Sequence, residues 1–428
     1  MRRMFVLLIV LGMADSVPAQ LTPTPSANVA AKKQVLTPSG ALTLSQLLDL
    51  AHRSNPTLLA ASQHLAAVRA QEVTAGLRQN PGAVLQGQLV TLAPGDANGT
   101  EFYLAGAQRL FERGNKRELR LSNARSTTTL TGFQVDDQRR QTDLAIRQSF
   151  ARMLYAQLAL RISKENLDDY GRTVNLMKIR LDAGAIDRTD FDRVELQLAG
   201  FESDLDNAML TLKQSSIALQ TLVGMATPVD DFAIAGTLDP PPVSATLDEL
   251  RTSAFDNRSD LKVARAQIAA NAAAVRLAVA NGTADPTLEA EYERAGYANT
   301  VGASLNIPLR FFDRNQGEKQ RTRYELESSR LGLTATLNQV LSDVDSSWAA
   351  YQTANSQSSR YKNKYLAEAA HVRDNLEFSY RHGNTSLLDY LSALSDYRQV
   401  NLASLNAELQ LLLALEQLSY AAQTEIVP

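Results

Sequence analysis

The chain has no cysteine, which excludes a disulfide framework, a thiol nucleophile, a thiolate metal site and an N-terminal lipid carried on cysteine. It has little net charge. The 43 Lys and Arg against 46 Asp and Glu leave −3, with both signs interspersed, so neither a nucleic-acid footprint nor a polybasic membrane arm is present. Aromatic residues are sparse, and Trp348 is the single tryptophan. After Ala19 no apolar run is long enough for a membrane-spanning helix, so residence in a bilayer would require a closed β-barrel. Gly-x-Ser-x-Gly, His-Glu-x-x-His and phosphate-loop signatures are also missing. The carboxylates that stand out lie on long helical tracts without a nucleophile or base beside them, which argues against a secreted enzyme and against any bound cofactor. Proline, finally, is absent between Pro94 and Pro228 and between Pro308 and Pro428.

What is present begins with a secretory signature. Arg2 and Arg3 precede the apolar run Met4 to Met13, and Val17-Pro18-Ala19 supplies small residues before Gln20. Residues 1–19 are expected to be a signal peptide and 20–41 an extended lead-in rich in Pro, Thr, Ser and Ala.

The remainder says nearly the same thing twice. Residues 42–226 form one repeat, 227–245 a linker holding Pro240-Pro241-Pro242, and 246–428 a second repeat. Thr43-Leu44 matches Thr246-Leu247, Pro81 matches Pro286, Phe111 matches Phe312, and Gly184 matches Gly383. Each repeat opens with short helices; in the first, Thr43 or Ser45 caps one that runs to Ser54, and Asn55-Pro56 starts the next. Strands are expected at Val84 to Leu92 and Phe102 to Phe111, then at Thr287 to Arg294 and Thr300 to Arg310, each near the length a tilted barrel strand needs. Pro308 marks an edge or a bend near the rim. Long helices follow. Lys116 to Ala183, about 68 residues at roughly 1.5 Å each, would reach on the order of 100 Å. A return helix runs from Arg188 to Val223. In the second repeat the long helix is expected from Gly317 to Tyr380, with Leu402, Leu405, Leu409 and Leu412 striping its return partner.

Two strands per repeat give four per chain, too few to close a membrane barrel, so the chain must oligomerise. Strand number leaves dimers, trimers and larger rings open.

The entry motif Leu42 to Ala51 followed by Ser54-Asn55-Pro56, the duplication and the glycine turns together resemble the TolC family of outer-membrane efflux proteins over essentially the whole mature chain. Residues Gln108 to Arg117 and Leu305 to Gly317 are similar to its cobalt-zinc-cadmium resistance branch. The resemblance implies a mixed α and β membrane protein, in which a long α-helical coiled-coil barrel continues a transmembrane β-barrel, twelve-stranded as a homotrimer. It further implies a passive exit duct in the Gram-negative outer membrane, in contact with its lipid and docked to a periplasmic adaptor and an inner-membrane pump. The two motifs favour divalent metal ions as cargo, with organic compounds as the alternative. A periplasmic coiled-coil scaffold or adaptor fits the paired strands less well.

The resemblance also nominates residues. Asp374 and Glu377, nine and six positions before Gly383 and on one helical face, match an acidic, cation-selective tip constriction; Asn175 and Lys178 occupy those places in the first repeat. Asp190, Tyr365 and Thr189 match contacts that hold the tip closed, although the basic partner expected for Thr189 is Ala370 here, with Arg373 or Lys364 as substitutes. Asp190 is equally accounted for as an acid favoured by a helix N-terminus. The turns holding Gly184, Ala185 and Asp187, and Gly383, Asn384 and Ser386, are expected to face the adaptor. His52, His64, His371 and His382 are scattered and form no ligand cluster, so no metal site is expected.

Overall fold

The computed structural model describes residues 40–90, 100–240 and 242–425. The signal peptide, the lead-in up to Ser39 and the turn Ala93 to Gly99 fall outside these residues. Each repeat begins with two helices, α1 (Leu44–Ser54) and α2 (Pro56–Gly76), then α5 (Leu247–Asn257) and α6 (Ser259–Asn281). Thr43 and Thr246 both cap through reciprocal bonds with the residue three positions on, Gln46 and Glu249.

The strands are β1 (Gly82–Val90), β2 (Thr100–Leu110), β3 (Thr287–Ala295) and β4 (Ala298–Asn306). They form one antiparallel sheet in the order β1-β2-β3-β4, so the second repeat adds directly to the first. β4 ends four residues before the expected Arg310. Pro308 has no N–H to give to a ladder and disfavours helical backbone in the residue before it, so pairing stops short of it.

Helices α3 (Lys116–Asp182) and α4 (Arg188–Leu222) form the first hairpin. Its partner differs from expectation. The long helix is divided into α7 (Gln316–Arg360), a π-turn over 361–365 and α8 (Leu366–Arg381) before α9 (Leu387–Ala422) returns. At the turn the Leu366 N–H reaches back five residues to the Tyr361 carbonyl. A π-turn takes up one extra residue while the helix faces on either side stay in phase, and proline content carries no sign of it.

Buried apolar residues gather where the hairpins meet the short helices. One cluster joins Leu47, Ile146, Phe150, Leu219 and Leu409 to Phe232, Ile234 and Leu238 of the tract between repeats. That tract therefore folds onto the bundle, and Leu42 pairs with Ile234 as a parallel bridge. A second cluster holds Leu250, Leu261, Val344 and Leu415, and a third, near the glycine turns, holds Tyr170, Phe191, Phe201 and Tyr390. The repeats are unequally covered. α6 buries Ala270, Ala273 and Ala278 between α3 and α7, whereas its counterpart α2 leaves Ala67 and Ala70 exposed.

Candidate lumenal and tip sites

Strand register sorts the sheet into two faces of different chemistry. On one face Leu85, Ala105, Tyr292 and Val301 stand in a row; beside it lies the row Ala83, Ala107, Ala290 and Ala303, and then Leu288 and Leu305. This face is apolar and exposed, with Tyr103 and Tyr292 toward the hairpin end and Arg109 over the Phe111 ring at the helix end. A lipid-facing barrel wall has this composition.

The opposite face is polar. Glu289 lies beside Gln108 and Ser304, Glu291 beside Gly106 and Gly302, and Glu293 beside Leu104 and Thr300. Three carboxylates thus run up one strand, and the described positions of that face carry no lysine or arginine. A side chain on Gly302 would meet Glu291 Oε1 at 3.2 Å, so the glycine leaves room for that carboxylate to lie across the neighbouring strand. Sequence reasoning missed this column. The alternation Glu289, Glu291, Glu293 was a readable period-two signal once the strand was assigned.

At the far end of the hairpins the turns are closed by backbone geometry. Gly184 (φ +70°) and Gly383 (φ +77°) adopt the left-handed conformation, and the next N–H groups, of Ala185 and Asn384, bond back to Arg180 and Ser379 at 2.8 and 2.9 Å. Asp187 caps α4 by accepting the Asp190 N–H at 2.8 Å. Ser386 caps α9 in the same way, accepting the Asp389 N–H at 3.1 Å. Bonds from Ser386 and Thr385 hold the Asp389 carboxyl below its usual range. Ala185 and Asn384 are exposed at the two apices.

Asp374 and Glu377 share one face of α8 and line a cleft of about 360 Å³ between α3, α8 and α9. Each has a counter-charge on its own helix: Arg373 holds Asp374 at 2.6 Å, and Arg381 holds Glu377. Burial disfavours the Arg373 charge, but the bonds to Asp374 outweigh it and raise its pKa, while the guanidinium stacks on the Tyr397 ring at 4.0 Å. The arginines are therefore functional candidates that the sequence reading had not ranked with the acids. Asp190 lies 3.6 Å from Arg193, and Thr189 is exposed. Tyr365 belongs to the π-turn, its ring edge-on to Tyr361 at 5.7 Å. Among the described residues no bond within the chain joins Asp190 to Tyr365. Nor do the histidines assemble into a metal-ligating group; His371 bonds Asn375, and His382 stacks on Phe378.

Residues 250–422 match the family described as outer membrane efflux protein. Over 365 residues the chain is 27% identical to the cobalt-zinc-cadmium resistance protein CzcC of Cupriavidus metallidurans, spanning 83% of this chain and 84% of that protein. The family match lies within the second repeat. Its fold superposes on a membrane protein from Pseudomonas aeruginosa with a TM-score of 0.76 at 18% identity, over 89% of this chain and 92% of that one. It superposes comparably on the channel protein CusC, with a TM-score of 0.75 at 18% identity, over 89% and 91%. These relatives are described as an outer membrane efflux protein, a metal-resistance protein and a transmembrane channel, and the fold of this chain is that of the solved structures.

Proposed function

We propose that this efflux channel is the passive outer-membrane duct of a tripartite system for divalent heavy-metal cations, a homotrimer docked through its periplasmic turns to an adaptor and an inner-membrane pump. The observation that carries the cation reading is the column Glu289, Glu291 and Glu293 on the polar face of the sheet, without lysine or arginine beside it. Rings of carboxylates in a water-filled barrel favour cations and repel anions. CzcC, a cobalt-zinc-cadmium resistance protein, supports the same cargo class.

Two features support ring closure. β1 and β4 leave unpaired edges, which a bilayer does not tolerate. The exposed alanines of α2 correspond to positions that α6 buries, so α7 of a neighbouring copy would give α2 the second flank that α6 already has. At the tip, Asp374 and Glu377 form the proposed constriction, with Arg373 and Arg381 as counter-charges that moderate its selectivity. Asp190, Thr189 and Tyr365 are proposed to meet across neighbouring helices in the closed assembly. Gly184, Ala185, Asp187, Gly383, Asn384 and Ser386 form the proposed adaptor-facing turns.

The test is reversal potential in planar bilayers under a salt gradient. Replacing Glu289, Glu291 and Glu293 by Gln is expected to abolish most of the preference for cations, and the Asp374→Ala, Glu377→Ala pair to reduce it less. Unchanged selectivity in the triple variant would remove the column from the lumen. A deletion strain sensitised to organic compounds but not to zinc, cobalt or cadmium would reassign the cargo.

A further inference from the structure

The two junctions between strand and long helix are equivalent by repeat but opposite in chemistry. In the first, β2 runs to Leu110, and Phe111 donates its N–H to the Pro286 carbonyl at 2.9 Å. The charged residues that follow are tied inward: Glu112 pairs with Arg120, while Arg113 N–H and the buried Lys116 ammonium both bond the Asp285 carboxylate, at 2.8 and 2.5 Å. In the second junction Pro308 stops the ladder, and Phe312, expected to match Phe111, stands instead where the first repeat has Glu112, because Phe311 is the partner of Phe111 once Asn115 and Asn315 are aligned. Asn115 and Asn315, both with positive φ, close the two junctions, which fixes the correspondence.

The freed segment continues the apolar face of the sheet. Val301 and Leu305 point to that face, and Ile307, Leu309 and Phe311 follow beyond the strand, all exposed, with the Phe311 N–H turning back to the Leu309 carbonyl at 3.1 Å. Phe312 is 94% exposed. Arg310 and Arg314 lie among them; the Arg310 charge acts on Asp285, and the Arg314 Nε–H donates to the Arg310 carbonyl at 3.3 Å, but neither guanidinium is in a salt bridge among the described residues. Aromatic rings with guanidiniums outside any salt bridge, at the helix-bearing edge of an apolar wall, match the boundary between acyl chains and headgroups.

We propose that residues 307–314 form an interfacial anchor that binds anionic phospholipid in the periplasm-facing leaflet. Ile307, Leu309, Phe311 and Phe312 enter the acyl layer, and Arg310 and Arg314 hold headgroup phosphates through charge-assisted bonds. Continuity with the lipid-facing wall selects lipid as the occupant over a second copy of the chain. The proposal is independent of the cargo, so a failed metal assignment leaves it standing.

The experiment uses the full-length channel in nanodiscs of phosphatidylcholine with and without phosphatidylglycerol. Phe312→Trp is expected to be quenched by lipids brominated near the headgroup, beyond the background from Trp348. Arg310→Gln with Arg314→Gln should weaken phosphatidylglycerol retention in native mass spectrometry roughly thirty-fold, about a factor of five per arginine, with the oligomer mass unchanged. Three results would overturn the proposal. The Trp at 312 could go unquenched, or lipid retention could survive loss of both arginines. Alternatively, Phe311→Ser with Phe312→Ser could dissociate the oligomer while lipid retention stays intact, which would give the segment to a neighbouring copy.

Discussion

The Lys362 ammonium, within the π-turn, lies 3.0 Å from the Asp239 carboxylate of the tract between repeats. That bond, first among its causes, raises the lysine pKa and ties the one irregular turn of the second hairpin to the segment that bridges the two repeats. On α9, the half-buried Glu408 faces the same pair and is pushed up by burial.

A turn that closes over five residues holds one residue more than an α-turn, so the helix faces above and below it stay in phase. Deleting Asn363 is therefore expected to heal the π-turn into regular helix and leave the melting temperature and oligomer mass nearly unchanged. Deleting Ser163, at the corresponding place in unbroken α3, should rotate everything beyond it by about 100° and prevent assembly. Equal damage from the two deletions, read by thermal melting and mass in detergent, would refute this account of the π-turn.

Arg258 is 3% exposed and holds Asp260 and Asp343 at 2.6 and 2.9 Å while donating to the Ala421 carbonyl at the end of α9. Arg258→Ala would strand two partly buried carboxylates and is expected to destabilise the fold by about 3–5 kcal/mol. A melting temperature within experimental error of wild type would show that water replaces the guanidinium without loss.

Glu416 on α9 is also 3% exposed, and its nearest cation is Arg147 at 3.6 Å. Burial, the leading cause, raises its pKa against the pull of Arg147. An acid held above its ordinary value binds a proton more readily in the folded state. Its contribution is thus complete below the ordinary carboxylate pKa near about 4.3 and is lost as pH rises through the raised value. Between about pH 5 and about pH 8 the wild-type melting temperature should fall relative to Glu416→Gln. Parallel curves for the two proteins would exclude Glu416 as the source.

Two glycines separate conformational from steric need. Gly224 has φ +86°, and a Cβ there would stand 2.4 Å from the Ser54 carbonyl oxygen, where the hairpin closes on the α1–α2 break. Gly224→Ala should destabilise by at least about 1–3 kcal/mol from the strained conformation alone. Gly132, inside α3 with nothing within 4 Å, should gain about 0.5–1 kcal/mol on substitution by alanine. A loss at position 132 would locate a contact with another copy there.

Periodicity, proline spacing and the doubled motif determined the long helices, the strand pairs and the glycine turns, because these depend on local propensity and on a pattern each segment carries within itself. The capped starts at Thr43 and Thr246 and the turns at Gly184 and Gly383 were legible for the same reason. What the residues contribute once assembled was not. Arg373 and Arg381 neutralise the tip acids through rotamers that only the folded cleft selects. The alternation of Glu289, Glu291 and Glu293 was readable along its own strand, but which residues of the other three strands share their face was set by cross-strand register. Phe312 takes the place of Glu112 at equivalent junctions, and the end of β4 at Asn306 leaves it exposed. Local sequence chooses an element; long-range pairing decides what each face of that element meets.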